Sequence, residues 1–408
     1  MIKYGVSPWI DGVPKSRVPQ YPRHRGTAPA PLVIVGAGLT GAAAAYAFTA
    51  AGLEVVVLEA DQVGRGTTAT GNGWISADPG VAFAAVDEAL GLRAARHAFQ
   101  MWRRAALDAV TLLKRLGISC DLRPQSTLGV AQTPEQLAVL QRERKTRQAA
   151  GFDMPFLRGP AVQSEVALPA LGATRDREGG VFDPYRATLG LLALAAKRGA
   201  QIYERSAVRR VTFTRRNATV FTAGGSIRTS RIVVTTGNSS TLFGSLDRHF
   251  WFRSTYHALT APIPGRVRRL LGRRSTVVRD GAEPPHAVRW VGDDRLLVTG
   301  ADSAAVPERQ QAKLVPQRTM QLMYELSTLY PDISGIMPEY GWGQGYTRTR
   351  DGLPYLGPHR NFPHHLFAWG DSSHSATGAF LASRLLLRHH LGELEPADEV
   401  FAFTRYER

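Results

Sequence analysis

Three glycines and one acid carry the first chemical signal in this chain. Gly36, Gly38 and Gly41 follow the pattern G-x-G-x-x-G. Glu59 stands about 20 residues further on, the spacing of a dinucleotide-binding unit. Each glycine has a task. Gly36 permits a tight turn, Gly38 lets backbone approach a pyrophosphate, and Gly41 lets a helix pack close to a strand. The helix N-terminus would present free N–H groups, with Ala37, Leu39 and Thr40 completing the turn, and about half a positive charge to the phosphates. A carboxylate at Glu59 can accept both hydroxyls of an adenosine ribose. It would repel a 2′-phosphate, so NADP is the dinucleotide least suited to this pocket.

Positioning these groups needs a strand, a turn, a helix and a second strand. Leu32–Val35 is a short, mostly β-branched run, and residues 42–51 are alanine-rich and read as a helix stopped by Gly52. Val55–Leu58 is a second apolar run ending on Glu59 and Ala60. The next stretch, DQVGRGTTATGNGWISADPG, is rich in glycine and threonine. It falls at the carboxyl end of the second strand, where an open α/β sheet has its ligand crevice. Its hydroxyls and amides suit phosphates or a ring system.

Length bounds the rest. A chain of 408 residues with 44% apolar and 21% charged residues is an ordinary soluble composition and large enough for two or three domains. One cysteine, Cys120, excludes an internal disulfide and reads as a small buried hydrophobe. The net charge of +16 comes mostly from scattered arginine; the lysines are Lys3, Lys15, Lys114, Lys145, Lys197 and Lys313. The pattern reads as a solvated basic surface, with attraction to anionic partners as the sharper alternative. No basic stripe interleaved with aromatics is present, so no nucleic-acid partner is expected. The first residues lack an apolar signal core, and the apolar stretch 31–58 is accounted for by the dinucleotide unit. A cytoplasmic chain without a membrane span follows as the expectation. No metal site is expected.

Along the chain, residues 1–29 read as an extended arm anchored by Trp9 and Tyr21. Residues 81–119 have helical periodicity, 122–132 reads as a strand, and 134–150 as a helix capped by Thr133. Residues 184–199 read as a helix and 201–235 as paired strands ending in Thr235, Thr236 and Gly237. Residues 251–300 alternate like antiparallel strands of a separate sheet, and 307–330 are helical. The segment FAWGDSSHSATG is a strand, a small-residue turn and a helix start, with Ser375 or Thr377 as its cap. Its N-terminus would aim a second helix dipole at the crevice.

These motifs, in this order, resemble the flavin-dependent D-amino acid oxidase-like oxidoreductases. Within them, the chain is most similar to the γ-glutamylputrescine oxidase and glycine/sarcosine oxidase branch. The resemblance rests on Gly36 to Glu59, the GRGTTATGNG loop, VVTTG, the run from Trp342 to Gly357, and the terminal FAWGDSSHSATG. It implies an α/β fold: a Rossmann-like FAD-binding domain with a discontinuous antiparallel-sheet substrate domain. The expected division is 1–29 as arm, 30–80, 176–245 and 335–408 as FAD domain, and 81–175 and 246–334 as substrate domain. By the resemblance, Arg65, Gly66, Thr67 and Thr68 line the pyrophosphate and flavin side, with Gly73 and Trp74 following in the same loop. Val208 meets adenine through its backbone. Thr236, Gly237, Gly370, Asp371, Ser373, His374, Ser375, Ala376 and Thr377 belong to the flavin end.

Two departures refine the expectation. Gln344 stands where several relatives carry a flavin-tethering residue, and residues 70–74 contain no histidine, so non-covalent FAD is expected. Threonine at 377 replaces a basic residue that clamps substrate carboxylate in sarcosine-type oxidases. No lysine lies between Lys197 and Lys313, although a lysine near the flavin often promotes reaction with oxygen in that family. The expected activity is oxidation of the C–N bond of an amine or amino acid, with oxygen or another electron acceptor as partner. Candidate substrate-side residues are His286, His374, Tyr256, His257, Tyr346 and Arg348. Period two places His286, Val288 and Trp290 on one face of their strand and Arg289 on the other. An NAD-dependent dehydrogenase and a flavoprotein subunit without its own substrate are the competing readings.

Overall fold

A computed structural model describes residues 1–237, 241–371 and 374–407. Its first large sheet has six strands in the order Gln201–Tyr203, Val55–Leu58, Leu32–Val35, Arg231–Gly237, Phe362–Trp369 and Tyr355–His359. The first five run parallel and the last is antiparallel to its neighbour. Leu32–Val35 is buried on both faces, which is why it reads as a continuous apolar run. Leu32 and Ile34 pack with the helices Leu39–Ala50, Pro184–Lys197 and Thr377–Leu391. Val33 and Val35 pack on the other side, with Val220 and Ile227 of a four-stranded sheet. From Leu32–Val35 the chain passes first to Val55–Leu58 on one side and later to Arg231–Gly237 on the other, so the glycine turn sits at a topological switch point.

The second large sheet has nine strands: Lys3–Tyr4, Pro338–Arg348, Trp251–Thr260, Arg295–Ala304, Ala287–Val291, Thr276–Arg279, Ser126–Ala131, Gly172–Asp176 and Phe156–Arg158. The helix Glu308–Leu329 covers one face, where Tyr256, Ala258, Val288, Trp290, Val298, Leu322 and Leu326 form a core. The opposite face joins the core of the first sheet through Leu259, Leu297, Tyr340 and Trp342. The molecule is thus a mixed α/β protein with a Rossmann-like sheet and a separate sheet-rich part.

Several local expectations change in detail. Helical periodicity over 81–119 resolves into Phe83–Leu90 and Leu92–Arg115, because Gly91 adopts φ +85° between them. Thr133 caps Pro134–Ala149 in a reciprocal box with Gln136. The strand Pro338–Arg348 belongs to the nine-stranded sheet, although sequence grouped 335–408 with the cofactor part. The arm is built in rather than laid on. Lys3–Tyr4 pairs with the strand edge, Gly26–Pro29 joins the four-stranded sheet, and Trp9 is buried. Cys120 is buried and its thiol is pushed up to about 12, chiefly by desolvation. Among the described residues, no helix is long and apolar enough to cross a membrane.

Candidate active site

The glycine turn has no room for side chains. A Cβ on Gly41 would stand 1.9 Å from the Gly36 carbonyl oxygen, and Gly36 itself has φ +101°. Gly38 is the N-cap of Leu39–Ala50, and no side chain caps that helix from within. The Leu39 amide donates to Thr68 Oγ1 at 2.7 Å. The next amides, of Thr40 and Gly41, have no intrahelical acceptor by virtue of their position. Glu59 holds the turn from the neighbouring strand: its Oε2 accepts from the Ala37 amide at 2.7 Å and its Oε1 from the Asp61 amide at 3.0 Å. Each carboxylate oxygen has a further lone pair for a ribose hydroxyl. Ala60, Arg65 and Gly66 are exposed at the rim, while Thr67 and Thr68 line the pocket with Leu39 and Thr40. Val208 packs at the edge of the adjacent core, in a loop tied to this strand end by the Ser206 amide on the Glu59 carbonyl at 2.8 Å. Thr236 accepts from Trp369 Nε1 at 3.2 Å, and Gly237 lines the pocket at φ +76°.

A second helix N-terminus opens on the same pocket. Its N-cap is Ala376, so neither Ser375 nor Thr377 takes the capping position expected of it. The Thr377 hydroxyl is committed elsewhere, to the Ser76 backbone. Gly370, Asp371, His374, Ser375 and Ala376 line the pocket from this side. Ser373 lies outside the described residues.

Between the two helix ends runs the loop 70–74, and it is held at three successive carbonyls. Trp342 Nε1 donates to Thr70 O at 2.9 Å, Trp9 Nε1 to Gly71 O at 2.8 Å, and Arg289 Nε to Asn72 O at 2.7 Å. Gly73 follows at φ +63°, where a Cβ would meet the Phe182 carbonyl oxygen at 2.2 Å. Trp74 is buried, donates from Nε1 to Thr127 Oγ1 at 3.2 Å, and accepts from the Ala376 amide at 2.7 Å. Arg289 is buried across the sheet face behind this loop, and desolvation lowers it to about 9. Its Nη2 has no hydrogen-bond partner among the described residues. Two helix N-termini opening on one pocket and a glycine cradle closed to side chains together fit an anionic dinucleotide.

The substrate-side candidates separate into two groups. Tyr346 and His374 line the pocket, their rings 4.6 Å apart and edge to face. Both reach Asp302, which sequence reasoning missed: Tyr346 donates its hydroxyl to Oδ2 at 2.7 Å, and His374 Nε2 lies 3.1 Å from the same oxygen. Burial opposes the charge on Asp302, but hydrogen bonds from His374, Thr255 and Tyr346 hold it at about 2. Ala301 at φ +54° shifts the strand phase and turns Asp302 inward, which period-two counting could not show. His257 is on the pocket side too, stacked on Trp342 at 5.0 Å and bonded to Thr299 and Gln344. Burial, opposed by the Gln344 bond, drives it down to about 3.

Tyr256 and His286 face the other way. Tyr256 sits in the core under Glu308–Leu329 with Arg318 over its ring. His286 is bracketed by Asp280 at 2.7 Å and Glu325 at 2.9 Å, the latter on that helix. The alternation of His286 and Arg289 was correct, and the inward face is the one carrying Arg289. Arg348 is exposed at the end of its strand and does not line the pocket.

An open parallel sheet with a glycine cradle at its switch point, faced by a second sheet across a pocket, defines a two-part nucleotide-dependent oxidoreductase. Residues 31–388 match the family described as "FAD dependent oxidoreductase", and the chain belongs to that family. It is an FAD-dependent oxidoreductase. The γ-glutamylputrescine oxidoreductase of Escherichia coli (strain K12) is 28% identical over 383 residues, covering 92% of this chain and 87% of the relative. L-Amino acid deaminase from Proteus myxofaciens, solved with anthranilate, superposes with a TM-score of 0.75 at 17% identity, covering all of both chains. Glycine oxidase from Geobacillus kaustophilus superposes at 0.73 with 20% identity, covering 92% of this chain and 98% of that one. These solved structures share the fold.

Proposed function

We propose that this protein oxidises the C–N bond of an amine, with FAD held non-covalently in the pocket described above. The observation that carries the reading is the convergence of two helix N-termini, Leu39–Ala50 and Thr377–Leu391, on one pocket walled by Gln344 and Tyr346 of the second sheet. The 28% identity to an enzyme named for a polyamine derivative favours an amine over other donors. When bound, FAD supplies the two-electron acceptor for a hydride leaving the carbon beside nitrogen, and water then hydrolyses the resulting imine.

The protein's share is positioning. Glu59 and the amides of Thr40 and Gly41 hold the adenosine and pyrophosphate end. The N-terminus at Ala376 faces the other end, where its dipole favours added negative charge. Gln344 offers neither thiolate nor imidazole for a covalent tether. His257, at about 3, is a neutral imidazole too weak to take a proton from an alkylammonium of pKa about 10. It orients Gln344. Releasing that proton at pH 7 costs roughly 4 kcal/mol, which desolvation of the amine in the pocket offsets in part. Ionised Asp302 fixes the Tyr346 hydroxyl and the His374 ring, leaving a preorganised polar wall beside the reacting carbon.

Electron delivery to an acceptor other than oxygen fits one further observation. Lys313 is exposed on Glu308–Leu329, the helix covering the far side of the sheet, so it does not approach the pocket. The test is an anaerobic screen of alkylamines, polyamine derivatives and N-methyl amino acids for bleaching of the yellow protein. Bleaching by amines is expected; bleaching by 2-hydroxy acids alone would overturn the reading.

A further inference from the structure

Deep arginines in this protein are mostly neutralised. Arg405 is paired with Asp351, and Arg147 with Asp78 and Glu143. Arg289, only 5% exposed, is not. Among the described residues no carboxylate forms an ion pair with it. Asp183 attracts it from a longer range and is itself held by Arg186 at 3.4 Å. The other contacts of Arg289 are neutral: the Asn72 carbonyl on Nε, the Trp290 carbonyl on Nη1 at 3.1 Å, and the Trp9 ring, whose centroid lies 5.2 Å from Cζ. Desolvation pulls it down to about 9, which leaves it a cation at neutral pH. A buried charge without a counter-charge is costly, and an arriving anion relieves that cost.

The charge stands behind one wall of the cofactor pocket. Asn72 and Gly73 both line that pocket, and Arg289 is bonded to the first and packed on the second. A Cβ on Gly73 would lie 2.8 Å from Nη2, so the guanidinium rests against bare backbone. The next residue, Trp74, accepts the Ala376 amide, which ties this part of the loop to the helix N-terminus at the flavin end. The carbonyls of Thr70 and Gly71 are anchored by neutral indole N–H groups. A neutral donor would anchor Asn72 equally well, so fixing the loop does not account for a full charge there.

We propose that Arg289 tunes the flavin electrostatically: its charge, acting through the Asn72–Gly73 wall, favours reduced over oxidised flavin. A hydride carries two electrons and one proton from the donor carbon to the neutral oxidised ring. The ring thereby gains one negative charge and the donor is left with one positive charge. The guanidinium stabilises the negative charge from behind the wall and adds to the helix dipole at Ala376. Arg289 does not line the pocket, so it acts through the wall and is not itself a catalytic residue. The proposal rests on FAD occupying this pocket and is independent of which donor is oxidised.

The experiment measures the two-electron midpoint potential of the FAD-loaded protein by anaerobic dye equilibration, for the unaltered chain, Arg289→Gln and Arg289→Lys. Fluorescence titration gives the FAD affinity of each apoprotein. Glutamine keeps an N–H for the Asn72 carbonyl and drops the charge; lysine keeps the charge and drops the planar fork. Arg289→Gln is expected to disfavour reduced flavin at least tenfold, a fall of about 30 mV for two electrons. Arg289→Lys is expected to stay within about threefold of the parent, near 15 mV. Sulfite, which adds to oxidised flavin and brings negative charge into the ring, should bind at least tenfold more weakly to Arg289→Gln alone. An unshifted potential in Arg289→Gln overturns the proposal, as does a lysine variant that falls as far. Weaker FAD binding with an unshifted potential would assign the charge to the pyrophosphate and overturn it too. If the glutamine variant does not fold, the lysine variant decides: a retained potential supports the proposal and a tenfold loss sinks it. The pocket reading fails separately, if the unaltered apoprotein binds no FAD.

Discussion

Thr377 and Ser76, 301 residues apart, are joined twice: the threonine Oγ1 accepts from the Ser76 amide at 3.1 Å and donates to the Ser76 carbonyl at 2.7 Å. This pair pins the C-terminal helix start to the strand Trp74–Ser76, and with it the flavin end of the pocket. Thr377→Val leaves two buried backbone groups without partners, at about 1–3 kcal/mol each. The expected result is a destabilisation of roughly 2–4 kcal/mol in urea unfolding, with weaker FAD retention. Thr377→Ser keeps the hydroxyl and is expected to restore both. A valine variant as stable as the parent would show that the double bond contributes nothing.

His286 is expected to matter for stability and not for flavin reduction. Burial opposes its charge, but Asp280 and Glu325 raise it to about 9. A histidine raised in the folded state contributes stability that is fully present below its unfolded value of about 6.5 and is lost as pH rises through about 9. His286→Ala leaves Asp280 buried without its partner and should cost on the order of 3 kcal/mol. The pH dependence of stability between 7 and 9 should flatten in the variant. Stopped-flow anaerobic reduction by a bleaching amine should be unchanged; a large slowing would return His286 to the reaction.

The cradle admits no side chain at position 41. Gly41→Ala would drive a Cβ to 1.9 Å from the Gly36 oxygen, so the variant is expected to purify colourless, with FAD affinity down at least about a hundredfold, near 3 kcal/mol. Fluorescence titration of apoprotein with FAD measures it. Retained yellow colour would mean the turn can open.

Non-covalent attachment has a direct check. Acid precipitation of the holoprotein should release all flavin absorbance to the supernatant. Colour remaining in the pellet would require a tether that neither Gln344 nor residues 70–74 supply.

Tyr346 and Asp302 form the polar wall beside the pocket. Tyr346→Phe removes the donor to Asp302 and should slow flavin reduction about tenfold, near 1.4 kcal/mol, while FAD content stays the same. An unchanged rate constant would place the pair outside the reacting geometry.

Local pattern determined much of this protein. Gly36, Gly38, Gly41 and Glu59 fall within 24 residues of continuous chain, so turn, helix and paired acid could be read as one unit. The segment FAWGDSSHSATG likewise announced a strand, turn and helix, because glycine and small residues are local demands. Alternation on Ala287–Val291 put His286 and Arg289 on opposite faces, since side chains alternate whatever the strand packs against. Only the tertiary structure decided which face looks inward. That choice is made by Glu308–Leu329, which covers His286 and Tyr256 and leaves Arg289 and His257 toward the cofactor pocket. Asp302 was hidden because one positive φ at Ala301 shifts the strand phase. Trp9, Arg289 and Trp342 meet on three adjacent carbonyls from three distant parts of the chain. Contacts of this kind depend on how sheets stack and not on residue spacing, so no local pattern encodes them.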